Sequence, residues 1–187
     1  MPQNGGGGVW FPGTRPLTPF VWFFAWPTKI RNLLCTAQNL TGTITISDLE
    51  LMGIFMQWLS LKHAIGPDLN KHQNPAIWCD NFPAVAWFNK FCFITSTVAT
   101  TILRAFATRL HTRAAGILSV DHISGVYNGM TNVASQEHTI VTAEFLTLFS
   151  YKLKTPKNAS WTLFQFTNRL TSGVCSILQH KPSTMAS

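Results

Sequence analysis

Seven carboxylate side chains occur among 187 residues. Two of them, Glu50 and Asp80, sit where an apolar run meets polar residues, in TISDLELMG (45–53) and AIWCDN (76–81). An acid at such a boundary is half-buried, and a half-buried acid needs a donor, a cation or a metal as partner. A third segment, HISGVYNGMTNVAS (122–135), is where that partner is expected, yet it offers Asn132 where an acid would complete a metal cluster. Converging carboxylates of this kind hold hard divalent cations, Mg²⁺ or Mn²⁺. Two such cations can hydrolyse a phosphodiester, provided the oxygen ligands leave room for phosphate oxygens and water.

The elements that would position these acids must come from an uneven composition. Hydrophobic residues make up 46% of the chain, enough for a core, while charged residues make up only 11%, well under the ~25% usual for soluble domains. The net charge of +7 favours a polyanionic partner such as nucleic acid. Cys35, Cys79, Cys92 and Cys175 are scattered and form no CxxC pair, which argues against a zinc ribbon or a disulfide scaffold. The N-terminus has no basic head or apolar signal core, so an intracellular location is expected over a secreted one. The triplets beginning at Asn39 and Asn158 then read as chance matches to a glycosylation signal. The apolar run 20–26, bounded by Pro19 and Pro27, is too short to span a bilayer as a helix and reads as a buried strand.

Aromatic and β-branched residues on either side of the Pro/Gly cluster at 12–16 predict a β-hairpin. Residues 47–65 open with Ser47 or Asp48 as helix starter and stay apolar on more than one face, so a largely buried helix is expected. Residues 76–80 suit a short core strand ending at Asp80. A helix is predicted over 96–115, with Arg104, Arg109 and Arg113 as a solvated or phosphate-binding face. Residues 117–123 alternate as a strand, and a helix is expected to begin near Met130. This order of strands and helices gives an α/β domain. The composition shifts near residue 138, and a final amphipathic helix is predicted over 161–178.

In GGVWF (7–11), SDLELMG (47–53), CDN followed by AVAW (79–87), and HISGVYN with AS (122–135), the chain resembles the ribonuclease H-like domain of retrotransposon polyproteins. These motifs occur in the family's order and at compatible spacing, over residues 5–137. The resemblance implies a ribonuclease H-like mixed sheet with flanking helices, followed by a polar connector and helical tail over 138–187. It implies Glu50 as a metal ligand that orients the attacking water and Asp80 as the strand-end metal ligand. His122 matches a histidine that assists product release or proton movement, and Ser47 a small polar side chain against the nucleic-acid strand. Mg²⁺ or Mn²⁺ would be the cofactor and RNA in an RNA–DNA hybrid the substrate.

Two departures from the pattern bear on activity. The family's last acid falls on Asn132, whose amide keeps a metal-binding oxygen but not the charge. The family's first strand, central in the sheet and carrying the first aspartate, would fall at or just before Met1. Without it, the hairpin and the Asp80 strand must pair directly or leave backbone groups exposed, and an incomplete, marginally stable and inactive fold is expected. A non-catalytic nucleic-acid-binding module, relying on the three arginines, is the alternative.

Overall fold

The computed structural model describes residues 4–11, 18–65, 75–90, 96–111, 118–136, 144–147 and 161–179. The expected turn at 12–16, Arg113 and Cys92 lie outside them. Strands β1 (Gly5–Trp10) and β2 (Phe20–Ala25) pair antiparallel, Gly8 opposite Trp22 and Trp10 opposite Phe20. They are followed by a single helical turn α1 (Thr28–Arg31), the long helix α2 (Ile46–Ile65), strand β3 (Ala76–Cys79) and helix α3 (Phe82–Lys90). Then come helix α4 (Thr97–His111), strand β4 (Ser119–His122), helix α5 (Gly129–Gln136), the two-residue strand β5 (Thr162–Leu163) and helix α6 (Asn168–Leu178). The chain is thus α/β, with parallel and antiparallel pairings and helices packed around them.

Among the described residues the strands form two separate sheets. One runs β1-β2-β5, with β5 parallel to β2; the other is the parallel pair β3-β4, with Cys79 opposite His122. The hairpin and the Asp80 strand therefore do not pair, and both line one cleft.

Helix α2 lies under both sheets and is apolar nearly all round, so it is buried on most of its surface. Phe55 and Trp58 meet Phe106 of α4 at ring-centroid distances of 4.9 and 5.3 Å, and Phe88 of α3 meets the same ring at 5.1 Å. Gln57 accepts a 2.7 Å hydrogen bond from Trp22 Nε1, tying β2 to α2. The opposite face of the hairpin is covered by a second apolar cluster in which Val21, Ala134, Phe145 and Trp161 are buried.

Three observations correct or extend the sequence reading. The C-terminal segment is built into the fold instead of hanging from it, because β5 extends the hairpin sheet while Val174, Cys175, Ile177 and Leu178 enter the main core. Its first residues, expected as helix, form β5 and an extended stretch, since the aromatic run 161–166 packs its rings on β2, Phe164 on Phe20 and Phe166 on Trp22. Helix α3, not anticipated, is started by Asn81, whose Oδ1 accepts from Ala84 N at 3.0 Å, with Pro83 in the first turn, where its missing N–H costs nothing.

The glycines of β1 permit close packing on both faces. A Cβ on Gly7 would lie 2.6 Å from Ser135 N and 2.7 Å from Ala134 C of α5, and one on Gly8 would strike the Trp22–Gln57 hydrogen bond. Gly7→Ala forces the α5 backbone away and should cost about 2 kcal/mol in a denaturant titration. Gly6→Ala, which meets the Trp26 ring at 3.2 Å and the Trp22 ring at 3.7 Å but no backbone atom that close, should cost clearly less.

Candidate metal centre

The position of Glu50 is set by how α2 starts. Thr45 caps the helix: its Oγ1 accepts from Asp48 N at 3.2 Å, and Asp48 Oδ2 accepts from Thr45 N and Thr45 Oγ1, both at 2.7 Å. This is a reciprocal capping box with aspartate in the acid position. The other carboxylate oxygen accepts from Ser96 Oγ at 2.5 Å, and Ser96 Oγ also accepts from Ala99 N at the start of α4. Asp48 is fully buried, and it fastens the first turns of two helices together. Sequence reading had it only as a possible helix starter.

Asp80 follows β3 directly. Its neighbours hold the turn: Asn81 caps α3, and Asn81 N donates to Cys79 Sγ at 3.4 Å. A Cβ on Gly125 would come within 3.3 Å of Asp80 Oδ2, so the turn after β4 lies close to this carboxylate.

Glu50, Cys79 and Asp80 each place a ligand atom within 4.8 Å of the others, with Cys79 Sγ 4.0 Å from Glu50 Oε2. Burial, and secondarily the charge of Asp80, raise the Glu50 carboxyl from its ordinary 4.5 to about 7. Burial and then the charge of Glu50 push the Cys79 thiol up to about 12. Both shifts express negative charge held out of water, and among the described residues no lysine or arginine lines either cavity beside the pair.

Glu50 and Asp80 stand where two cavities adjoin. The smaller, about 290 Å³, is also lined by Asn132, Asn128 and Gly5–Gly7. Asn132 Nδ2 donates to Gly125 O at 3.5 Å, which makes the amide oxygen the atom available to a cation. Two carboxylates and an amide oxygen suit a hard divalent cation such as Mg²⁺ or Mn²⁺. The thiol adds a soft donor that sequence reading did not assign to the site. The signal was present, since Cys79 directly precedes Asp80, but strand alternation alone does not show that its sulfur meets a helix residue 29 positions earlier.

The remaining expected site residues are distributed differently. Ser47 lies one helical turn before Glu50 on α2 and is half-buried. His122 stands opposite Cys79 in the β3-β4 register but is exposed, with its ring edge-on to Phe82 at 5.9 Å, and it lines neither cavity. Arg104 is exposed on α4, and the Arg109 guanidinium lies over the Phe55 ring at 5.3 Å, where burial lowers its pKa. Neither arginine lines the cavities; α4 packs on the Phe55–Trp58 stripe of α2, while Glu50, Gly53, Ile54 and Gln57 face the cleft. Among the described residues no helix is long and apolar enough to cross a membrane.

No family model matches the chain, and neither the curated proteins nor the solved structures compared with it give a match.

Proposed function

We propose that the chain is a ribonuclease H-like domain of retrotransposon origin that keeps part of a divalent-cation site and has lost hydrolytic activity. The observation that carries this reading is the convergence of Glu50, Asp80 and Asn132, from three distant stretches of sequence, on one cavity. The sequence resemblance assigns metal ligands to Glu50 and Asp80 and puts the family's last acid at Asn132.

In this reading Asp80 and Glu50 would hold the cation through carboxylate oxygens and Asn132 through its amide oxygen. A bound Mg²⁺ or Mn²⁺ would supply charge stabilisation at a phosphate oxygen and a more acidic water. A cation beside Glu50 would favour its ionised form and draw the raised carboxyl back down, so Glu50 would serve as a ligand. Replacing the last acid by Asn132 removes one full negative charge from the ligand set, and Coulomb attraction in a partly desolvated cavity depends on that charge.

A non-catalytic nucleic-acid-binding module has weaker support, because Arg109 packs against Phe55 and neither Arg104 nor Arg109 lines the cleft.

The test is incubation of the purified chain with an RNA–DNA hybrid in Mg²⁺ or Mn²⁺. No cleavage above that of Asp80→Asn is expected. Cleavage by the wild type that disappears in Asp80→Asn would overturn the loss of activity.

A further inference from the structure

We propose that Glu50, Cys79 and Asp80 form a site for a thiophilic divalent cation of the Zn²⁺ class, and that such an ion takes Cys79 Sγ as a ligand and holds the site against Mg²⁺ and Mn²⁺. The inference concerns the same two carboxylates as the proposed function and rests on that reading only in taking them as cation ligands. The sulfur, and the exclusion of hard cations through it, are what it adds.

The three side chains are close to a coordinating arrangement. One ligand atom of each lies within 4.8 Å of the others, and Cys79 Sγ is 4.0 Å from Glu50 Oε2. Zn²⁺ binds thiolate sulfur at about 2.3 Å and carboxylate oxygen at about 2.0–2.2 Å in a tetrahedron, which sets neighbouring ligand atoms roughly 3.5 Å apart. Small side-chain rotations therefore complete the set. Strand alternation would send residues 79 and 80 to opposite faces, but β3 ends at Cys79 and the chain bends at Asp80. That bend lets two consecutive residues reach the same glutamate of α2.

Donor type decides which ion is held. Mg²⁺ and Mn²⁺ are served by carboxylate oxygens and water and gain little from sulfur. Zn²⁺ is satisfied by three protein ligands and one water, and a thiolate among the three selects borderline and soft ions over hard ones. A separate observation marks the sulfur as a ligand: Asn81 N–H donates to Cys79 Sγ at 3.4 Å. A backbone donor outside the ligand set orients the sulfur and favours its anionic form. On binding, the S–H bond breaks, the sulfur lone pair enters the metal–sulfur bond and the proton leaves to water. The cation then offsets the charge of Glu50 and Asp80, a role that no described lysine or arginine lining the two cavities fills.

The experiment adds Co²⁺ and then Zn²⁺ to the reduced full chain at a fixed, mildly alkaline pH. Co²⁺ should produce a near-ultraviolet sulfur-to-cobalt charge-transfer band that one equivalent of Zn²⁺ removes. The band should be absent from Cys79→Ser and kept in Cys35→Ser, whose thiol is exposed. In competition followed by the free Mn²⁺ electron paramagnetic resonance signal, Zn²⁺ should bind at least about a hundredfold more tightly than Mn²⁺, and Cys79→Ser should reduce that ratio at least about tenfold. Absence of the band from the wild type would overturn the proposal even if Cys79→Ser failed to fold, and so would a band that persists in Cys79→Ser or an unchanged ratio. The band in a wild type that binds no Mn²⁺ would support the thiophilic site while contradicting the hard-cation reading, so the two fail separately.

Discussion

Replacing Asp48 with alanine should lower the unfolding free energy by about 3–4 kcal/mol, a large share of the 5–15 kcal/mol typical of a domain. The carboxylate accepts three hydrogen bonds from Thr45 and Ser96 while fully buried. Hydrogen bonds to a charged group contribute roughly 1.5–3 kcal/mol each, but they share one side chain and do not add fully. Loss of the capping box frays the start of α2, and loss of the Ser96 bond releases α4 from it. Asp48→Asn keeps one accepting oxygen, and the Ser96 hydroxyl can rotate to accept from the new amide, so about half of the loss should be recovered. Urea titrations of the three proteins check this; a change below about 1 kcal/mol for Asp48→Ala would contradict the role.

Glu50→Gln should act in the opposite direction. The Glu50 carboxyl titrates near 7 in the folded chain and at an ordinary 4.5 when unfolded, so between these values the folded state holds more protons. Stability from this group therefore falls as pH rises from 4.5 to 7 and is level above and below that window. The shift corresponds to about 2–3 kcal/mol after allowance for the opening to the cleft. Gln carries no charge to desolvate, so Glu50→Gln should be more stable than wild type by that amount at pH 8 and nearly equal to it at pH 4.5. Thermal melts at the two pH values decide it, and equal effects at both would contradict a raised Glu50 pKa. The stabilised protein should also lose divalent-cation binding, a conflict between stability and function that is common at functional sites.

The hairpin and α2 were legible in the sequence because local chemistry specifies them: aromatics around a Pro/Gly cluster, and an apolar run too long for a strand. The motifs and their order pointed to Glu50, Asp80 and Asn132, and these three line one cavity. Helix α3 was signalled by Asn81 and Pro83, but the short apolar run around them hid it. Strand β5 could not be read, since two residues carry no period and β5 exists only because β2 offers an edge. Asp48 was recognised as a helix starter and not as a tie between helices, because its second partner, Ser96, lies 48 residues away. His122 was placed by the resemblance and Arg109 by its charge on a predicted helix, whereas the structure sets His122 against Phe82 and Arg109 over Phe55.

The central claim is that Glu50, Asp80 and Asn132 form a cation site weakened by one missing charge. Its most direct test is Mn²⁺ binding at pH 8, followed by the loss of the free-ion electron paramagnetic resonance signal. Wild type should bind weakly, on the order of 10⁻⁴–10⁻³ M, as sites of low ligand charge do. Asp80→Asn should abolish binding, and Asn132→Asp, which restores the charge, should tighten it at least about tenfold, or ~1.4 kcal/mol. Binding that survives Asp80→Asn, or an Asn132→Asp variant with unchanged affinity, would contradict the account.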